Sequence, residues 1–442
     1  MIAPLPRAAR PLALALGAAM SLALALPSQA KAIDIQEVTS PGGVTAWLVE
    51  DYTVPIVTVQ FAFRGGAAQD PDGKEGLGNL LSGLLDEGAG ELDSKTFQTR
   101  LKNRNIKLSF DIGRDAFYGN LKTLAANSEE AFELTRLALS EPRFDAEPVA
   151  RIKAQIISKL RSEETDPEDL ARKAWARELF GEHPYGRDRE GTPATVELLT
   201  AEDLRGYADR ILARDNLLVA VVGAIDAETL AGALDEMFGA LPEKAELTPI
   251  ADVKAADGKR AHIALAVPQT VIRIGGSAMK RDDDDFIPAY IADHILGGGV
   301  FSSRIYREVR EKRGLAYSAG SSLLPLDHSG AWIAAAATRA DAAQQAIDIM
   351  LNEVQSLGEN GPSAEELEEA KSYLTGNYAL RFDSSTKIAK QLLGIRLDRL
   401  GIDYVDERNE LIRAVTQEDV RRAAARLYGD PASVVTVGPS SS

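Results

Sequence analysis

A short polar motif occurs twice in this chain, and each copy opens onto the same succession of helix, apolar strand and glycine. The first copy, Thr200-Ala201-Glu202-Asp203-Leu204-Arg205, leads to the apolar run 217–222 and then Gly223. The second, Thr416-Gln417-Glu418-Asp419-Val420-Arg421, leads to the run 434–437 and then Gly438. Thr416 lies 216 positions after Thr200, and at that shift the threonine, glutamate, aspartate and arginine coincide. Ala208 also meets Ala424 and Arg210 meets Arg426, while one gap brings the two glycines into register. Each threonine stands three residues before an aspartate, a helix start of capping-box type. Length alone would allow roughly two to four domains. The repeat narrows this to two homologous halves, residues 31–245 and 261–442, joined by a linker at 246–260 within a polar Ala/Pro/Lys-rich stretch.

Inside each half the strand signals cluster instead of alternating with helices. Short β-branched or alternating runs fall at 44–49, 56–63, 107–112 and 117–121, then again at 261–267, 270–275, 315–323 and 332–338. Long helical patterns occupy 146–164 and 167–180. Ser363 with Glu366 opens another, which carries Leu367, Ala370, Leu374 and Tyr378 on one face. This grouping predicts an α+β fold, each half a mainly antiparallel sheet with helices packed on one side.

Residues 1–30 stand apart from both halves. Arg7 and Arg10 precede a 15-residue Leu/Ala run at 12–26, and Ala30 or Ala32 follows small residues suited to cleavage. This is the anatomy of a secretory signal peptide, shorter than the ~20 apolar residues of a membrane span; the other reading is an uncleaved anchor. The expectation is an exported, periplasmic protein with no membrane span after signal removal. Loss of Arg7 and Arg10 takes the formal net charge from −16 to −18. An acidic chain without a basic stripe repels phosphate backbones, which argues against nucleic-acid binding. The run Asp282 to Asp285 lacks the spaced ligands and central glycine of a calcium loop and reads as a solvated turn.

With no cysteine there is no disulfide, thiolate metal site or cysteine nucleophile. The four histidines, His183, His262, His294 and His328, are too far apart in sequence for a helical zinc pair. That scarcity matters at the helical stretch Gly76-Leu77-Gly78-Asn79-Leu80-Leu81-Ser82-Gly83-Leu84-Leu85-Asp86-Glu87. Its leucines form a core-facing stripe, and Asn79, Ser82 and Gly83 fall opposite, at i, i+3 and i+4. The stretch resembles the first helix of the M16 peptidases, the family of insulinase, pitrilysin and the mitochondrial processing peptidase. There a Gly-Leu-Ala opening precedes His-x-x-Glu-His, whose histidines bind zinc and whose glutamate activates water. The resemblance puts Asn79, Ser82 and Gly83 where those three groups stand. It also expects a third ligand, a glutamate, on the helix 150–161, which contains no acid.

The second half keeps a different part of the pattern. Residues 296–318, Leu-Gly-Gly-Gly-Val-Phe-Ser-Ser-Arg-Ile-Tyr-Arg-Glu-Val-Arg-Glu-Lys-Arg-Gly-Leu-Ala-Tyr-Ser, read as a glycine turn, a helix from Ser302 to Arg313, a stop at Gly314 and a strand from Leu315. No Gly-Lys-Ser/Thr follows the glycines, so they do not form a phosphate loop. By spacing alone, Arg310 is a surface arginine and Tyr317 a sheet tyrosine. The segment closely resembles the family's most recognisable C-terminal stretch, however. There an arginine seven residues before a tyrosine forms the R/Y pair, which binds substrate backbone and helps stabilise the oxyanion. His183 in His-Pro-Tyr resembles a structural turn of the same family.

In part of that family each two-domain subunit is half of a clamshell, one partner carrying zinc and the other the R/Y pair. The resemblance therefore implies a non-zinc-binding subunit with no cofactor of its own. Zinc is expected in a His-x-x-Glu-His-bearing partner, the substrate is a peptide, and Arg310 and Tyr317 are the catalytic and substrate-binding residues. No peptidase activity is expected of the chain alone. A non-catalytic binding or scaffold protein, like the core subunits of respiratory complexes, is the alternative.

Overall fold

The computed structural model describes residues 33–440, so the signal-peptide reading of 1–30 lies outside the described residues. Two sheets organise the rest. The first contains β1 (Gln36–Thr39), β2 (Thr45–Glu50), β3 (Ile56–Arg64), β4 (Lys107–Ile112), β5 (Ala116–Leu124) and β6 (Leu217–Gly223), in the order β1-β2-β6-β3-β5-β4. The second contains β7 (Arg260–Ala264), β8 (Gln269–Ser277), β9 (Ala316–Leu326), β10 (Ser329–Arg339) and β11 (Ser433–Gly438), in the order β7-β11-β8-β10-β9. Leaving β1 aside, the two orders are the same strand for strand. The one parallel pair also recurs in the same place, β2 with β6 and β7 with β11. All other pairs are antiparallel, so the α+β reading with two mainly antiparallel sheets holds.

The twice-written motif starts equivalent helices. Thr200 caps Ala201–Ile211 and Thr416 caps Gln417–Tyr428, each in a reciprocal box with the aspartate three residues on. Ser363 and Glu366 do the same for Ala364–Gly376. Such boxes satisfy two amides that the first turn would otherwise leave unpaired.

The second face of each sheet also carries a helix, where the sequence reading placed helices on one side only. The helix Ser385–Leu397 lies across β3 and β6, and the helix Pro167–Phe180 lies across β8 and β11. Each half thus lends one helix to the other's sheet. The strands show why: β3, β6 and β8 are buried at consecutive positions, not alternate ones, and a strand buried on both faces needs cover on both. Arg396 pins the first crossing, donating through Nη1 to the carbonyls of Thr45 (3.1 Å) and Val219 (2.5 Å) and through Nη2 to Thr45 Oγ1 (2.9 Å). Trp175 seals the second; a Cβ on Gly275 would stand 2.9 Å from its ring.

The His-Pro-Tyr turn closes the seam between the halves. His183 Nδ1 accepts from the Tyr185 amide, so Nε2 carries the proton and donates to Ala251 O at 3.0 Å, in the linker. Tyr185 is fully buried; its hydroxyl donates to Asp115 and accepts from the His328 amide at 3.0 Å. Asp115 also accepts from the Asp327 amide (3.2 Å), and burial pushes its carboxyl pKa up. Tyr185→Phe leaves two partly buried groups, the Asp115 carboxylate and the His328 amide, without that partner. We expect it to lower unfolding free energy by about 1–3 kcal/mol, read as a shift of the urea midpoint at unchanged slope.

Candidate functional site

The segment expected to be an α-helix from Ser302 to Arg313 is α-helical only at Arg304–Tyr306, then widens into a π-turn at Arg307–Glu311. The Lys312 amide reaches back five residues to Arg307 O at 3.0 Å. π-Turns of this kind are frequent at functional sites. The wide turn keeps Ile305 and Val309 fully buried while Arg310 emerges at its end. Gly314, at φ +61°, then reverses the chain into β9, where Leu315 O is held by Thr338 Oγ1 at 2.6 Å. A left-handed φ suits glycine because it has no Cβ to clash.

This reversal brings Arg310 and Tyr317 together. The Arg310 guanidinium carbon lies 4.8 Å from the Tyr317 ring centre and 5.0 Å from that of Tyr306, so the cation sits between two phenol rings. Its Nη1 also bonds the Tyr306 hydroxyl. Cation–aromatic contacts of this length hold a guanidinium in place without using up its N–H donors. Tyr317 is 84% exposed, and Phe301, 69% exposed, sets its ring edge against Tyr306 at 5.3 Å. The locus therefore opens to solvent, at the start of the edge strand β9, with two donors free to meet an incoming acceptor. Tyr306 was not singled out from the sequence. Its only signal was the i, i+4 spacing to Arg310.

The other half of the expected chemistry is missing from its place. The helix that should carry the metal runs Leu77–Ser82 and is stopped by Gly83, although Leu84 and Leu85 after it stay in the core. Ser82 Oγ turns back to Asn79 O at 2.8 Å. Facing them is the helix Ala146–Glu163, and its Ile152 methyl stands 3.1 Å from where Gly83 would place a Cβ. Glu163, at that helix's end, is buried against Lys173 at 3.0 Å. An amide, a self-bonded hydroxyl, a glycine and an isoleucine are not a donor set for zinc, which takes imidazole, thiolate or carboxylate. Among the described residues no three of His, Asp or Glu converge as a metal site. His262 Nδ1 lies 2.9 Å from Thr436 Oγ1, and His294, held by burial to a pKa of about 4, stacks on Tyr373.

Known proteins resemble this chain in sequence and fold. The family model described as the peptidase M16 inactive domain matches residues 198–374, a span that includes Arg310 and Tyr317. The non-peptidase homolog YmxG of Helicobacter pylori is 25% identical over 358 residues, 80% of this chain and 82% of its own. An uncharacterized zinc protease of Streptomyces coelicolor is 26% identical, with 81% of this chain and 76% of its own covered. Among solved structures, a peptidase M16 inactive domain from Pseudomonas fluorescens is similar with a TM-score of 0.86 and 26% identity. That likeness covers 93% of this chain and 99% of that one. Matched segment, relatives and fold agree: residues 198–374 match the peptidase M16 inactive domain, and the chain has the fold of a solved domain of that kind.

Proposed function

We propose that this chain is an exported, non-zinc-binding subunit of a heterodimeric M16 peptidase, working in a periplasm beside a partner that carries His-x-x-Glu-His. The observation that carries the reading is the meeting of Arg310 and Tyr317 on an open surface while the metal position holds Asn79, Ser82, Gly83 and Ile152. A guanidinium and a phenol directed at one point suit a peptide carbonyl, whose oxygen gains negative charge as the bond is attacked. The unpaired side of β9 is an edge to which an extended peptide could add. Zinc and the attacking water belong to the partner; Arg310 and Tyr317 bind and orient the peptide carbonyl.

A second reading is favoured by the name of the Helicobacter relative, a non-peptidase homolog: a binding or scaffold protein on the same fold. One experiment separates the two. The mature chain is co-expressed with a His-x-x-Glu-His-bearing M16 chain from the same genome, and each is also purified alone. Zinc is measured by mass spectrometry and hydrolysis with an unstructured peptide. The expected result is a stable pair, zinc only in the partner, and activity only in the mixture. A chain that binds stoichiometric zinc and cleaves alone sinks the proposal; a partner fully active without it favours the scaffold.

A further inference from the structure

Away from the Arg310 locus, the helices Phe286–Asp293, Ser385–Leu397 and Tyr404–Ala414 enclose with β9 a cavity of about 440 Å³. Its wall holds two buried groups, an aspartic acid whose pKa burial pushes up to about 7 and an arginine, neither fully bonded. Asp293 is 4% exposed, and its Oδ1 has no hydrogen-bond partner. Arg408 is 6% exposed; its Nη1 donates to Leu374 O and Asn409 Oδ1, both at 3.2 Å. Its Nε and Nη2 make no hydrogen bond or ion pair among the described residues, and its carbon lies 4.3 Å from the Tyr378 ring centre. The two groups form no ion pair with each other. At the mouth, by contrast, Arg281 is already engaged with Asp398 at 3.3 Å and the Tyr404 hydroxyl at 2.8 Å.

A buried charge with unused bonding capacity is costly unless something completes it. Here one completing molecule must offer donors to a carboxylate and acceptors to a guanidinium. A metal ion would meet one acid and a cation, too few ligands for calcium or magnesium. A fully ionised phosphate would satisfy Arg408 and offer Asp293 no donor. An ammonium and a carboxylate on one small molecule satisfy both, the carboxylate against the free Nε/Nη2 edge of the guanidinium. Tyr290, Leu323 and Ile412 also line the cavity and offer an apolar wall for a side chain. We propose that this cavity binds a small zwitterion with an apolar side chain, a free α-amino acid or a dipeptide, with its ammonium on Asp293 and its carboxylate on Arg408. The proposal stands apart from the role of Arg310 and Tyr317.

The test uses the full mature chain, with thermal unfolding and calorimetry against L-leucine, L-phenylalanine and Leu-Leu. N-acetyl-leucine and leucinamide, each lacking one charge, serve as controls. The expected result is a raised Tm with at least one zwitterion and none with either blocked compound. Binding by the amino acids and not by Leu-Leu identifies the free amino acid as the source, and the reverse identifies the dipeptide. Asp293→Asn and Arg408→Gln should each weaken binding by about tenfold or more. Because Arg408 also supports its own helix, Ser322→Phe provides a second variant; it fills the cavity from an exposed position on β9 and should abolish binding at unchanged Tm. No shift with any zwitterion, equal shifts with the blocked compounds, or undiminished binding in Ser322→Phe would overturn the assignment.

Discussion

Arg310→Ala combined with Tyr317→Phe is expected to lower kcat/KM of the reconstituted pair by about 10²–10³-fold, with zinc content and subunit affinity unchanged. The magnitude follows from what the site loses. One preorganised donor directed at a developing oxyanion contributes on the order of 3 kcal/mol, and two donors acting on one oxygen lose less than twice that. The single variants should divide the effect unequally. Tyr317→Phe keeps the ring that packs on Arg310 at 4.8 Å and removes only the phenol, so it loses a donor and little else. Arg310→Ala removes the group that both rings hold and should cost more. Tyr306→Phe deletes the hydroxyl bonded to Arg310 Nη1 without touching substrate; it should fall between wild type and Arg310→Ala. Full activity in the double variant would reduce Arg310 and Tyr317 to a surface arginine and an exposed tyrosine.

Much of the scaffold was readable because its signals are local. The strand runs at 56–63 and 107–112 and the helix at 167–180 appear as β3, β4 and Pro167–Phe180 with ends moved by at most a residue. Alternating apolar residues and capping hydroxyls act over a turn or two of chain and need no distant partner. The meeting of Arg310 with Tyr317 also turns on a local feature, the stop and reversal at Gly314. Three features escaped, each for a physical reason. The π-turn at Arg307–Glu311 has no residue signature of its own; it is set by the burial of Ile305 and Val309 against a distant core. The Leu77–Ser82 helix gives way to turns through Glu87 although its leucine stripe continues, and periodicity alone does not distinguish the two. The crossing helices are contacts between halves, invisible to periodicity, although the unbroken apolar run at 217–222 was a sign that β6 is covered twice.

Gly223→Ala is expected to destabilise the fold by about 3–5 kcal/mol. The residue ends β6 at φ +145°, a conformation nearly closed to other L residues, and its Cβ would stand 2.0 Å from Ile56 O, the first carbonyl of β3. Neither strand can withdraw, because β6 and β3 are the centre of the sheet and both faces are packed. The repeat partner makes a graded comparison. At Gly438 the φ is not left-handed, and the Cβ would meet a rotatable Thr270 hydroxyl at 2.4 Å and the Thr270 Cα at 3.0 Å, so Gly438→Ala should cost less, about 1–3 kcal/mol. Gly206, inside the capped helix Ala201–Ile211, would place its Cβ in open space; there alanine should stabilise by about 0.5–1 kcal/mol. Urea unfolding of the three variants checks the order. If Gly223→Ala unfolds with Gly206→Ala, the glycine that closes each half is not held by the approach of the neighbouring strand, and its recurrence in both halves needs another cause.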